Sequence, residues 1–246
     1  ADAEGCSSLV LPGSLTADGQ PLAGQTWDLN PTDVAYVVGV KRSPIDGPQT
    51  WSVTCAGCLS HVGMNEFGVS VGTTNVKTWG SKPGVGYLAL LHRALQAPDA
   101  QTAAQLLSDA PRAGAHTYWL VDAQQQITLE AGPQHVFRRD TADAALCQTN
   151  HCLTPDHIAL QGEPGSDSSH ARIARLKAVT AQGGHTVESI KTLFADRSDG
   201  LLSINRYHED EQGTATNAVF IAQPADRRAF ACRGPADRGA WIELNF

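Results

Sequence analysis

The strongest chemical signal lies at the front of the chain, where Gly5-Cys6-Ser7-Ser8 is followed on the next predicted strand by Gly24-Gln25-Thr26-Trp27-Asp28. Cys6 is one peptide bond from being a free N-terminus. A thiol and an α-amine on one residue form a compact unit, with the amine as general base and the thiol as nucleophile. A free thiol has a pKa near 8.5 and an α-amine near 8, so the amine can take the thiol proton, directly or through a water. While the Gly5–Cys6 bond is intact, that nitrogen is an amide and cannot act as a base. Asp28 is placed to accept a hydrogen bond from the α-ammonium and orient it, a charge-assisted contact of the stronger kind. Its alternative role is an ordinary carboxylate before the Asn30-Pro31 turn.

Asn75 follows the predicted strand Val69–Thr74, and Asn150 ends the predicted strand Ala144–Asn150. Two strand-end amides can aim N–H donors at one spot. His151 falls on the opposite face if the strand continues, so it is not assigned as a base. Cys55-Ala56-Gly57-Cys58, with His61, has the residue types of a metal or redox site. In an extended segment, positions three apart face opposite sides, which hinders chelation. A second ligand pair with normal spacing is missing, because Cys147 and Cys152 flank His151 at the wrong separation. No metal and no cofactor is assigned.

The elements that must position these residues read as strands, two helices, strands, two helices, strands. Expected strands are Cys6–Leu11, Leu22–Leu29, Asp33–Lys41, Trp51–Ala56, Leu59–Gly63 and Val69–Thr74, with Leu15–Gln20 carrying an Asp18-Gly19 hairpin turn between the first two. Glycines at 57, 63, 68 and 72 point to turns or close backbone approach. Val85–Gln96 and Asp99–Ala110 carry helical spacing and end at Pro98 and Pro111, with Asp99 as a cap. Thr117–Asp122, Ile127–Ala131, His135–Arg139 and Ala144–Asn150 return to strand. His170–Ala181 and Val187–Phe194 are amphipathic, the latter capped by Thr186. Ala215–Ala222, Arg228–Arg233 and Trp241–Phe246 close the chain. This order predicts an α+β protein: an αββα four-layer sandwich of two antiparallel sheets with helix pairs outside.

At 246 residues and without a Pro/Ser-rich linker or charge block, one domain is expected. A net charge of -7 argues against nucleic acid, whose phosphates need basic surface. No apolar run approaches the roughly 20 residues that span a bilayer. Six cysteines in a domain this size are expected as reduced, mostly buried thiols rather than a disulfide framework. A cytoplasmic location and a possible homo-oligomer are the remaining expectations.

Five segments in register add a family reading. Glu4-Gly5-Cys6-Ser7-Ser8, Gly24-Gln25-Thr26-Trp27-Asp28, Gly63-Met64-Asn65-Glu66-Phe67-Gly68-Val69-Ser70-Val71, Gln148-Thr149-Asn150-His151 and Leu202-Ser203-Ile204-Asn205-Arg206-Tyr207-His208 span nearly the whole chain. They resemble the acyl-coenzyme A:6-aminopenicillanic acid acyltransferase family. These are autoproteolytic N-terminal-nucleophile (Ntn) hydrolases of the C45 peptidase-like group, distantly similar to choloylglycine hydrolases.

The resemblance implies an αββα fold and a precursor that cuts itself between Gly5 and Cys6, so that cleavage creates the base. Residues 1–5 then read as the remnant of an upstream segment and 6–246 as the catalytic domain, with that upstream segment as a partner. The resemblance places Asn75 and Asn150 in the oxyanion hole. Arg206 matches the family's late arginine and would steady Asp28 or bind a substrate carboxylate. Gln25 stands where choloylglycine relatives carry an arginine, and it is grouped with Arg206 as substrate-binding. A neutral amide there lowers the local positive field and raises the thiol's pKa relative to theirs.

The implied activity is hydrolysis of a small N-acyl or amino-acid amide through an acyl-enzyme. The alternatives are acyl transfer from a thioester or amide to an amine, and a non-catalytic binding or assembly subunit of the same fold.

Overall fold

The computed structural model describes residues 5–246, so 1–4 of the expected leader remnant lie outside the described residues. The chain begins with β1 (Gly5–Leu11), β2 (Leu22–Leu29), β3 (Val37–Arg42), β4 (Thr50–Cys55), β5 (Val62–Asn65) and β6 (Ser70–Asn75). Helices α1 (Tyr87–Ala94) and α2 (Ala100–Asp109) follow. Then come β7 (His116–Val121), β8 (Gln126–Ala131), β9 (Val136–Asp140) and β10 (Leu146–Gln148). The short α3 (Pro155–Ile158), α4 (Asp167–Thr180) and α5 (Val187–Phe194) lead to β11 (Ala215–Gln223), β12 (Arg228–Arg233) and β13 (Trp241–Leu244).

One sheet has six strands in the order β10-β1-β2-β11-β12-β13, and the other has seven in sequence order from β3 to β9. All the strand pairs are antiparallel. Period-two alternation explains the layers. On β7, Trp119 and Val121 face the space between the sheets, whereas Tyr118 and Leu120 face the α1–α2 layer. On β11, Ala218, Phe220 and Ala222 face inward, and Val219 and Ile221 meet the helical layer of α4 and α5. Each fully buried Leu, Val or Phe contributes about 1.5–3 kcal/mol, so three stacked cores hold the four layers. The expected αββα sandwich is the observed architecture.

Some boundaries differ from expectation. Asp33–Lys41 is only half strand: Pro31–Tyr36 forms a 3-10 turn, with Pro31 at its first position, where a missing N–H costs nothing. The connection expected over Leu15–Gln20 opens with a 3-10 turn at Gly13–Leu15 and an isolated bridge from Thr16 to His185. Leu59–Gly63 slides forward to Val62–Asn65, and Ala144–Asn150 pairs only over Leu146–Gln148. Helix α4 starts earlier than expected because the Ser166 hydroxyl caps Ser169 N. Asp99 caps α2 and Thr186 caps α5 as expected.

Gly72 on β6 sits where a residue of the opposite sheet, Gln25, packs tightly against the strand behind the site. A Cβ there would run into Gln25 Oε1 and the Trp119 indole. Gly72→Ala is therefore expected to lower stability by about 2–3 kcal/mol. The change should appear as a lower urea midpoint at unchanged m-value. An unshifted midpoint would mean that the sheets are not this close at β6.

Candidate active site

Cys6 lies on β1 between β2, where it pairs with Trp27, and β10. Strand β10 pairs β1 only from Ser8 to Val10. The ladder therefore stops short of Cys6, and a buried N–H without a partner is costly. Asn150, two residues beyond the end of β10, fills the gap: its Oδ1 accepts from Cys6 N at 2.8 Å. The same Oδ1 accepts from Arg172 Nη2 at 2.9 Å, which fixes the orientation of the carboxamide. Asn150 Nδ2 then donates to the Asn75 carbonyl at 3.1 Å. The two asparagines named from sequence are thus brought together from different sheets. Asn75 lines the cavity beside Cys6, whereas Asn150 stands behind it and reaches the site through its contacts with Cys6 N and Asn75.

Asp28 pairs with Gly5 across β1–β2 and is fully buried. Burial raises its carboxyl, opposed by the Arg206 and Arg172 guanidinium charges and by the Thr216 and Thr26 hydroxyls. Its Oδ2 accepts from Thr26 Oγ1 at 3.3 Å, whereas its Oδ1 is buried without a hydrogen-bond partner. A buried acceptor left in that state is expensive, so a donor is wanted there.

Arg206 sits beneath this pair, buried, donating to Thr214 Oγ1 at 2.6 Å and Ser168 Oγ at 2.5 Å. A methyl group at Gly5 would lie 3.0 Å from Arg206 Cζ, a tight approach to a buried guanidinium. Arg206 is not among the residues lining the cavity. Of its two expected roles, it is placed for the one through Asp28. Neighbouring Glu209 and Asp210 pair instead with Arg238 and Arg197.

Gln25 is buried and also off the cavity wall. Its Oε1 accepts from Thr73 N at 2.7 Å and from Trp119 Nε1 at 2.8 Å, tying β2 to β6 and β7 across the sandwich. Its amide group faces His61 Nε2 at 3.4 Å. The cavity itself measures about 110 Å³ and is lined by Cys6, Asp28, Asn75, Thr73, Leu29 and four rings. Trp27 stacks on His61 with centroids 4.4 Å apart, and Tyr87 on His116 at 4.2 Å.

Sequence reasoning missed Arg172. It donates to the Cys6 carbonyl, to Ser7 Oγ at 3.0 Å and to Asn150 Oδ1, and it joins Ser168 through Nε at 3.2 Å. The available signal was its place on a buried helical stripe with Ser168, Ser169, Ile173 and Leu176. An arginine on such a stripe needs acceptors. Ser169 extends this support: its hydroxyl accepts from Asn150 N at 2.9 Å. Glu130, also missed, holds the following loop by accepting from Leu153 N at 3.0 Å and Thr154 N at 3.1 Å.

Glu130, Cys152 and His157 are the only described residues grouped closely enough to hold a metal ion. The Glu130 oxygens are committed to backbone N–H groups, to the Thr154 hydroxyl at 3.1 Å and to the Arg139 guanidinium at 3.8 Å. That arrangement is a structural clasp. All six cysteines are unbridged; Cys55 is half-buried and Cys58 is exposed.

Burial drives His61 down to about 3, aided by His116, and drives His116 down to about 4. In the unfolded chain both protonate near 6.5. Between these values the unfolded chain binds more protons than the folded one, so stability falls as pH drops from about 6.5 toward 4. The melting temperature should decline through this window, and less steeply in His61→Phe and His116→Phe. Parallel declines in all three proteins would remove these rings as the cause.

Comparison with known proteins agrees with this architecture. The profile of the acyl-coenzyme A:6-aminopenicillanic acid acyl-transferase family matches residues 15–237. No curated protein matches the chain. Among solved structures, a variant of conjugated bile acid hydrolase from Clostridium perfringens superposes with a TM-score of 0.69 at 13% identity, covering 98% of this chain and 92% of that one. Penicillin V acylase from Agrobacterium tumefaciens gives 0.64 at 15% identity, covering 98% and 86%. The Caenorhabditis elegans N-acylethanolamine-hydrolyzing acid amidase ortholog gives 0.62 at 13%, covering 89% and 93%. These likenesses are likenesses of fold. With the family profile spanning most of its length, the chain belongs to the acyl-coenzyme A:6-aminopenicillanic acid acyl-transferase family of enzymes and has the Ntn-hydrolase fold.

Proposed function

We propose that this chain is an N-terminal-cysteine amidohydrolase, activated by scission of its own Gly5–Cys6 bond, that cleaves a small N-acyl amide through a thioester acyl-enzyme. The observation that carries this reading is the setting of the Cys6 nitrogen. It is held 2.8 Å from Asn150 Oδ1, in a strand register that pairs Gly5 with Asp28, whose Oδ1 is buried and unpartnered. An α-ammonium at Cys6 has three donors where the amide has one. It keeps the Asn150 contact and supplies the donor that Asp28 wants.

In the scission step, Cys6 Sγ attacks the Gly5 carbonyl carbon, and the thiol proton passes to the Cys6 nitrogen as the C–N bond breaks. Water then hydrolyses the Gly5 thioester, leaving a Gly5 carboxylate, a free thiol and a free amine. In turnover, the amine takes the thiol proton while Sγ attacks the substrate carbonyl. Asn75 and the second N–H of Asn150 Nδ2 stabilise the oxyanion. The ammonium then protonates the leaving nitrogen, and water attacks the thioester with the amine as base. Arg206 and Arg172 act on this centre from behind. Arg206 balances the buried Asp28 charge, and Arg172 holds the Cys6 carbonyl and Asn150. An amine in place of water would make the same acyl-enzyme a transferase, the alternative activity.

Two predictions test this. Intact mass and N-terminal sequencing of purified protein should give a chain starting at Cys6, and Cys6→Ala should stay joined to Gly5 and turn over no amide. An active protein that retains Gly5 would defeat the reading. Asn150→Ala, assayed on processed protein, should lower kcat by about 10²–10³-fold, as for loss of an oxyanion donor. An unchanged kcat would remove Asn150 from the oxyanion site. Adding a competing amine during turnover separates hydrolysis, which releases only the free acid, from transfer.

A further inference from the structure

The Cys55-Ala56-Gly57-Cys58 segment takes no part in the chemistry assigned to Cys6. The extended geometry that would turn positions three apart away from each other ends at Cys55, the last residue of β4. Cys58 N donates to the Cys55 carbonyl at 3.0 Å, which closes a β-turn with the two cysteines at its first and last positions. Gly57, third in the turn, has a φ of 85°, a conformation that glycine takes without a Cβ penalty. Ala56 N donates to the Tyr36 carbonyl at 2.8 Å and anchors the turn beside β3.

A turn of this kind sets the spacing that a disulfide needs. The first and last Cα atoms of a β-turn lie within about 7 Å, and bridged cysteines have Cα atoms about 4.4–6.8 Å apart. Burial raises the Cys55 thiol, and Asp33 and Cys58 add to the effect, so the two sulfurs are within electrostatic reach of each other.

Access differs between the two thiols. Cys58 is exposed, whereas Cys55 is half-buried and packs at the margin of the core between the sheets. Cys6, Cys147, Cys152 and Cys232 are buried. Cys58 is therefore the thiol that a small reagent in solution meets, and Cys55 is its partner. Among the described residues no third ligand joins them to hold a metal, because His61 faces Gln25 and stacks on Trp27.

We propose that Cys55 and Cys58 form a redox-active dithiol, a modification site that reacts with small-molecule disulfides and closes into a bond across the β4–β5 turn. Cys58, as thiolate, attacks one sulfur of the small disulfide. That S–S bond breaks, and the departing thiolate takes up a proton in place of the one Cys58 released. Cys55, as thiolate, then attacks the Cys58 sulfur of the mixed disulfide and expels the second small thiolate, which is protonated in turn. Two protein thiols are oxidised, one small disulfide is reduced to two thiols, and no other reactant enters. A loop this short constrains the unfolded chain little, so the bond adds little stability and stays reducible. Neither step involves Cys6, so the site is the same whether or not the Gly5–Cys6 bond is cut.

The test uses the full chain, reduced with dithiothreitol, freed of it, and incubated with oxidised glutathione before the remaining thiols are alkylated in urea. Cleavage by trypsin after Arg42 and Lys77 gives a peptide, 43–77, that holds both cysteines. That peptide should lose two hydrogen atoms, take no alkyl group and regain both thiols on treatment with dithiothreitol. Cys55→Ser should stop at one glutathione on Cys58, and Cys58→Ser should take up none on this peptide while folded. Closure should be at least about tenfold faster in the folded protein than in urea, because the turn raises the effective concentration of one thiol at the other. A peptide that keeps two alkylatable thiols, or that holds glutathione on Cys58 without closing, would overturn the proposal. Equal closure rates in the folded and unfolded chain would overturn it too, by assigning the bond to sequence spacing alone.

Discussion

The Asn150 carboxamide is the joint on which the site depends. One oxygen caps the Cys6 N–H that β10 is too short to reach, and the same oxygen receives the Arg172 guanidinium. One nitrogen reaches the Asn75 carbonyl in the opposite sheet. A single side chain therefore ties the Cys6 nitrogen to both sheets and to α4. The constraint behind it is the accounting of buried polar groups. In a four-layer sandwich the inner strands are dry, so every backbone donor that leaves the ladder must find a named partner.

That constraint also explains the support around Asn150. Its backbone N–H goes to Ser169, and the next loop residues hang from Glu130. The first turn of α4 contributes Ser168, Ser169 and Arg172 from one buried face, and Ser168 also receives Arg206. Three short elements thus pre-arrange the Cys6 nitrogen before any substrate arrives. Asp28 Oδ1 stands apart in this network because it is left without a donor. An unsatisfied buried acceptor of this kind is rare in folded proteins and costly to keep.

Gln25 shows how the same residue type serves architecture and chemistry at once. It cross-links the two sheets through Thr73 and Trp119 and in doing so fixes the tautomer of His61. An arginine at that position would carry only donors and could not accept from either group. A neutral amide therefore suits this buried position between the two sheets and beside an uncharged His61.

Much of the fold was legible because period-two and helical patterns are local. Leu22–Leu29, Val187–Phe194 and Arg228–Arg233 fall where the pattern placed them. Asp33–Lys41 misled because Val34 and Tyr36 alternate like strand residues, although the segment opens with a proline-led 3-10 turn. By itself the sequence determined the layer order, the candidate nucleophile with its Gly5–Cys6 bond, and the neighbouring strand that carries Asp28. Tertiary structure alone decided that Asn75 and Asn150 meet, that Arg172 joins them, and that Asn150, Arg206 and Gln25 stand behind the cavity instead of on its wall. Those contacts link residues far apart in the chain through loop ends and helix faces, where no periodicity in the sequence records which group will face which.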